Sequence, residues 1–337
     1  VCAAEGVDSE NEPQRGQFSP DSQAHSPAMG QEDGEKWTAA AHLQPTFLLP
    51  RRLPGSFSHK HKHRDKHTTM ASTAPDSASP SAPTVPPPNL FLLALEFRAP
   101  WEMGSMLLSW PLLQRAPEGD GHAVIVFPGL SAGDATTVPM RQFLRGRGYD
   151  VQGWKQGLNL GPRDGVLDAA KQQLADAYAA TGRKVSLVGW SLGGVYAREL
   201  AKEMPDKVRC AITLGTPFSG SPRSTNAWRF YQMASGRNVE REVENYHLAE
   251  APPVPTTSIY TRTDGVVAWK GSIQAPTASQ PQTENIEVIA SHIGIGVNPS
   301  AMWALADRLA QPEGQWQPFR RPRLLGAQHL VFPDPLR

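Results

Sequence analysis

The chain has 337 residues, 39% of them apolar, and a formal net charge of +1. This is enough to build one large domain or two small ones, and the near-neutral charge gives no reason to expect nucleic acid as a partner. Two cysteines, Cys2 and Cys210, exclude a multi-bridge disulfide framework, and Cys210 inside "VRCAITLG" reads as a packed core thiol.

Residues 1–69 carry neither helical nor strand periodicity over a useful length, so disorder is expected there. Within them "SHKHKHRDKH" (58–67) gathers His59, His61, His63 and His67 among basic residues. Such a composition can bind metals or polyanions, but composition alone assigns neither, and the tract is read as a solvated tail. Residues 71–88, "ASTAPDSASPSAPTVPPP", form an extended Pro/Ser-rich linker that buries nothing, so the N-terminal region is taken as 1–89. The chain opens on Val while Met70 stands directly before the linker; natural translation is therefore expected to begin at Met70, with 1–69 outside the native product.

The next apolar run, "LFLLAL" at 90–95, is soon interrupted by Glu96, Arg98 and Glu102. It is too short to cross a bilayer or to serve as a signal-peptide core, and is expected to pack on the domain. A soluble, cytoplasmic protein without stable membrane insertion follows as the expectation.

From about residue 120 strand-length apolar runs alternate with helix-like segments. The runs are "HAVIVF" (122–127), "VSLVGW" (185–190), "CAITLG" (210–215), "TSIYTR" (257–262) and "IEVIA" (286–290). Between them lie "TVPMRQFLRGRG", "VLDAAKQQLADAYAATG" and "LGGVYARELAKEMP". In the second of these, Val166, Ala169, Ala170, Leu174 and Ala177 recur at helical spacing and Gly182 ends the run. The alternation predicts a mostly parallel sheet with helices on both faces. Chemistry in such sheets gathers at the carboxyl ends of the strands.

Two stretches match G-x-S-x-G: Gly129–Gly133 around Ser131 and Gly189–Gly193 around Ser191. A nucleophile elbow needs a strand running straight into the serine and a helix starting straight after it. Ser191 meets that demand, with Gly189, Gly193 and Gly194 making room and the dipole of the following helix aimed at developing negative charge. Ser131 does not, because Pro128 and Gly129 end the strand too early and "SAGDATT" reads as a loop before a helix capped by Asp134 or Thr136. The Pro-Gly loop fits another role: one backbone N–H for an oxyanion hole from Leu130, the other coming from Leu192.

A serine nucleophile needs an acid and then a histidine further along the chain. His292 follows "IEVIA" on a loop into a helix, whereas His247 sits in a charged helix-like stretch. Asp264 follows "TSIYTRT" at a strand-end turn, with Glu284 the weaker competitor; Asp206 and Asp307 precede a strand and lie within a helix. Ser191, Asp264 and His292 are therefore the candidate catalytic set.

With these residues in view the chain resembles the α/β-hydrolases, specifically bacterial lipase- and esterase-like members. The carrying stretches are Pro128-Gly129-Leu130, Gly189-Trp190-Ser191-Leu192-Gly193-Gly194, "LGTPFSGS" (214–221), "TRTDGVV" (261–267) and "SHIGIGVNP" (291–299). Phe218 and Trp190 stand where many such lipases carry histidine. The resemblance covers about 120–310 and implies the α/β-hydrolase fold. It also implies a helical lid insertion over about 217–255; the hydrolase domain is taken as 90–315, with a C-terminal tail over 316–337. Trp190, Phe218, Trp228 and Tyr231 are the candidate substrate-binding residues. The expected activity is hydrolysis of small-molecule acyl esters, lipid-like ones included, through an acyl-enzyme, without cofactor or metal. An acyltransferase with the same three residues and a non-catalytic binding module are the alternatives, and thioesterase and amidase activity stay open.

Overall fold

A computed structural model of the chain describes residues 85–220, 224–226, 247–322 and 331–333. The readings of 1–84, most of the expected lid, Trp228 and Tyr231 lie outside the described residues.

Six strands form one sheet: β1 Ala123–Phe127, β2 Asp150–Gly153, β3 Val185–Trp190, β4 Val208–Leu214, β5 Thr256–Tyr260 and β6 Thr283–Glu287. Their order is β2-β1-β3-β4-β5-β6, and every pairing is parallel. Helices α4 (Val138–Gly146), α5 (Val166–Thr181), α6 (Leu192–Glu203) and α7 (Pro299–Leu309) connect and cover the strands, while α1 (Leu90–Ala94), α2 (Ala99–Leu108) and α3 (Trp110–Leu113) precede them. This is the α/β-hydrolase arrangement, with the strand β3–turn–helix α6 unit at its centre.

All five residues of β1 are buried, as expected of a strand covered on both faces. Val124 and Val126 pack with Met140, Phe143 and Met302 on one side. The alternate residues Ala123, Ile125 and Phe127 pack with Leu174, Tyr196 and Leu200 on the other. The period of two along the strand thus feeds two separate cores. From β1 the chain passes to β2 on one side and then to β3 on the other, so the carboxyl ends of β1 and β3 flank the switch point where such sheets bind ligands.

Four local expectations change. Strand β2, "DVQG", is short and polar and has no counterpart in the apolar runs. The last strand ends at Glu287, so "VIA" belongs to the loop beyond it. Ala169 faces solvent, while Val166, Ala170, Leu174 and Ala177 form the buried stripe of α5. Neither Asp134 nor Thr136 caps α4: the Asp134 carboxylate accepts the N–H groups of Trp154 (2.9 Å) and Lys155 (3.1 Å), tying the post-β1 segment to the end of β2.

The 90–113 segment does pack on the domain, but with inverted polarity. Phe91, Phe97, Trp101, Leu107 and Leu108 are exposed, whereas Glu96 and Glu102 are buried; Met106 and Leu113 enter the core. Among the described residues no helix is long and apolar enough to cross a membrane.

Candidate active site

Ser191 directly follows β3 and stands as the first cap of α6, with φ 52° and ψ −122°. That left-handed backbone is costly for a non-glycine residue and is held by its surroundings. The Ser191 N–H donates to the Leu214 carbonyl at 2.8 Å, and the Gly194 N–H to the Ser191 carbonyl at 3.0 Å. The flanking glycines are obligatory for packing. A Cβ at Gly193 would collide with the Phe127 carbonyl, one at Gly194 with Thr216, and one at Gly189 with the backbone of Gly194.

His292 lies on the loop between β6 and α7, and Asp264 on the loop after β5; they are 5% and 3% exposed. His292 Nε2 is 2.9 Å from Ser191 Oγ, and its Nδ1 is 2.8 Å from Asp264 Oδ2. The other carboxylate oxygen of Asp264 accepts the N–H groups of Val266 (2.8 Å) and Val267 (2.7 Å), which fixes the plane of the group. A carboxylate can only accept, so Nδ1 carries the ring proton and Nε2 is free to accept from the serine hydroxyl. Burial alone would push the imidazole pKa down, but the charge and hydrogen bond of Asp264, helped by the charge of Glu96, raise it above the ordinary histidine value. Beneath the pair lies Gly215 at φ 56°, where a Cβ would stand 3.1 Å from His292 Nδ1.

The remaining sequence candidates fall into place around or away from this centre. The loop after β1 approaches it closely: a Cβ on Gly129 would lie 3.3 Å from that of Ser191. Leu130, next to Gly129 on the loop after β1, and Leu192, the first residue of α6, thus stand on either side of the serine. Asn159 braces the first loop, donating to the Pro128 carbonyl at 2.8 Å, accepting the Ser131 N–H on its backbone carbonyl at 2.6 Å, and donating its own N–H to Ala132 at 2.8 Å. Ser131 itself is exposed, at φ 57°. Trp190 is half-buried and donates its indole N–H to the His292 carbonyl at 3.0 Å. Phe218 is buried with the Arg198 guanidinium 3.9 Å above its ring, packed within the fold. Glu284 is engaged elsewhere, by Arg308 (2.6 Å), Thr257 (3.2 Å) and the Phe319 N–H (2.8 Å). Asp206 pairs with Lys207, Asp307 with Arg308, and His247 is exposed. Among the described residues no three His, Cys, Asp or Glu side chains stand together so as to hold a metal ion.

Three residues of this neighbourhood have no counterpart among the sequence candidates. Glu96, Arg98 and Glu102, from the helical turns at 95–102, reach the backbone of the loops that carry Asp264 and His292. The available signal was that these charges interrupt an apolar run.

No protein-family model matches the chain, and no curated protein matches it. Among solved structures it is similar to lipase B of Aspergillus fumigatus, at 19% identity and a TM-score of 0.46 over 58% of this chain and 54% of that one. The chain therefore spans about half the length of that lipase. It is also similar to a soluble variant of monoglyceride lipase from Saccharomyces cerevisiae (13% identity, TM-score 0.43, 58% of this chain and 91% of that one). A third similarity is to the mouse alpha/beta hydrolase domain-containing protein 10 (17% identity, TM-score 0.41, 57% and 89%).

Proposed function

We propose that this chain is a serine hydrolase that cleaves carboxylic esters through Ser191, His292 and Asp264, with small-molecule acyl esters, lipid-like ones included, as substrates. The observation that carries the reading is the hydrogen-bond chain Ser191 Oγ–His292–Asp264, 2.9 and 2.8 Å long, with Ser191 held in a left-handed turn at the carboxyl end of the central strand.

The chemistry follows from that order. His292 Nε2 takes the Ser191 proton as the hydroxyl attacks the ester carbonyl, and Asp264 stabilises the imidazolium that results. The N–H groups of Leu130 and Leu192 receive the oxyanion; a single such donor is worth roughly 10²–10³ in rate. His292 then protonates the leaving alcohol, and water, deprotonated by the same imidazole, releases the acid from Ser191. Trp190 supports the reading as a frame element, since its bond to the His292 carbonyl holds the base loop beside the serine.

A p-nitrophenyl ester series from acetate to palmitate, offered to the full chain and to Ser191→Ala, tests the proposal. Hydrolysis that disappears with Ser191→Ala supports it, and the chain-length optimum ranks short against long acyl groups. Hydrolysis that survives Ser191→Ala, or its absence across the series, contradicts it.

A further inference from the structure

The charged residues that interrupt the 90–108 segment converge on the two loops that present the acid and the base. Glu96 is 5% exposed. Its Oε1 accepts the N–H groups of Gly265 (2.7 Å) and His292 (2.9 Å), and its Oε2 accepts that of Ile293 (2.9 Å). Gly265 adjoins Asp264, so one carboxylate grips the acid loop and the base loop together. A buried carboxylate is costly unless its oxygens are paired, and three N–H donors satisfy it with short, charge-assisted bonds.

Two neighbours extend the same clamp. Glu102 Oε1 accepts the Ser291 N–H at 2.6 Å and the Arg98 Nε at 3.2 Å. Arg98 Nη2 donates to the Thr263 carbonyl (3.1 Å), the Thr263 hydroxyl (2.7 Å) and the Ala290 carbonyl. Residues 263, 265 and 290–293 are thus held from one short segment, 165–197 positions away in sequence. The contact is close enough that a Cβ on Gly265 would collide with the Leu92 carbonyl, and one on Gly294 with Glu102. The inverted polarity of the segment gains a reason, since its carboxylates face inward to bind these amides.

We propose that Glu96 is a positioning residue of the site: through three backbone N–H groups it sets the loop of Asp264 against the loop of His292, and so fixes the hydrogen bond between the two side chains. The proposal rests on reading Ser191, His292 and Asp264 as the reacting set. Glu96 also acts electrostatically. The charged groups around His292 are Asp264 from the loop after β5 and Glu96, with Arg98 and Glu102 bound to the flanking backbone; the charge of Glu96 adds to that of Asp264 in favouring imidazolium.

The test uses the full chain with Glu96→Gln, Glu96→Asp and the exposed neighbour Phe97→Ala as control. Two readouts are taken: kcat and KM on p-nitrophenyl butyrate, normalised to serine titrated by a fluorophosphonate, and the His292 ring titration followed by NMR. Glu96→Gln keeps the size but removes the charge and sets an NH₂ against a backbone donor. It is expected to lower kcat on the order of 100-fold, as loop misplacement does, with KM little changed. It also moves both the His292 titration and the acid limb of kcat to lower pH. Glu96→Asp keeps the charge, so the pH limb stays in place while kcat falls between wild type and Glu96→Gln. Phe97→Ala behaves as wild type.

A residue that merely stabilised the fold would lower the titrated fraction and Tm while leaving kcat per titrated serine and the His292 titration unmoved, and that result overturns the proposal. If Glu96→Gln does not fold, Glu96→Asp with wild-type kcat overturns it equally. If the wild type hydrolyses no ester, the functional reading fails by itself. The NMR titration still decides the clamp, because an unshifted His292 in Glu96→Gln contradicts it without reference to activity.

Discussion

A serine–histidine–carboxylate chain stands at each end of strand β3, and the two differ in backbone, exposure and electrostatics. At its carboxyl end stand Ser191, His292 and Asp264. At its amino end Ser186 Oγ lies 2.7 Å from His122 Nε2, and His122 Nδ1 lies 2.5 Å from Asp120 Oδ1. By residue type and distance the two sets are near twins. Ser186, however, lies within β3, paired with Val124 on one side and, just past a register shift, with Cys210 on the other, and neither it nor His122 has any exposure. No carbonyl can reach it. Its hydroxyl also receives the Cys210 thiol at 3.3 Å, and burial pushes that thiol's pKa up, in keeping with a packed rather than a reactive cysteine.

The electrostatics diverge as well. Burial lowers the His122 pKa, and although Asp120 pulls it upward, the nearby charges of Arg209 and Arg183 reinforce the fall. Burial would raise the Asp120 carboxyl, but hydrogen bonds from Arg209 and His122 hold it well below the usual carboxylate range. Asp120 is shared among His122, Arg209 and Arg183, so it serves as a structural hub where Asp264 serves a single imidazole. A hydrogen-bonded triple is therefore not a site by itself; the positive-φ elbow, the strand end and the partial exposure of Ser191 mark the difference.

Substitution should separate the two ends sharply. Ser191→Ala is expected to lower kcat for ester hydrolysis by roughly 10⁴–10⁶-fold, as loss of a triad nucleophile does. Ser186→Ala should leave kcat close to wild type but cost about 1–3 kcal/mol of stability in a denaturant melt, because His122 Nε2 loses its buried partner. Asp264→Asn ranks next, with a loss on the order of 10⁴-fold through the wrong imidazole tautomer, while Asp120→Asn changes melting and not kcat.

The two histidines also predict opposite pH behaviour. His292, with a raised pKa, contributes stability when protonated. That contribution is fully present below about pH 6.5, the ordinary value, and is lost as pH rises through the raised one. In the proposed mechanism its neutral form is the base, so the acid limb of kcat/KM should lie above about pH 6.5. His122, with a lowered pKa, stays neutral in the fold while the unfolded chain takes up a proton. Stability is therefore lost as pH falls below about 6.5. His122→Gln should flatten that acid slope of Tm and leave the kcat/KM limb in place; His292→Gln should abolish turnover. The smallest effect is expected from Ser131→Ala, whose kcat/KM stays near wild type because the loop is held by backbone and Asn159.

Much of this centre was legible because its logic is local. Ser191 declares itself by an unbroken apolar strand before it and a helix after it, and Asp264 and His292 by following strands. The other contributions were hidden for physical reasons. Glu96, Arg98 and Glu102 act on backbone amides and carbonyls 165–197 residues away, which leave no side-chain pattern. The helical turns at 95–102 also expose Phe97 and Trp101 and bury their carboxylates, the reverse of the usual amphipathic rule. Strand β2 escaped because four residues, two of them polar and one glycine, carry no apolar alternation; its place is set by parallel pairing along β1. The amino-end triple was equally invisible, since Asp120, His122 and Ser186 look in sequence like a turn and two strand residues.

The measurement that bears most directly on the central claim is covalent labelling of the full chain with a fluorophosphonate, followed by peptide mapping of the modified residue. The account predicts a single phosphonylated serine, Ser191, with labelling abolished in His292→Gln. Modification at Ser186 or Ser131, or none in folded protein, would contradict it.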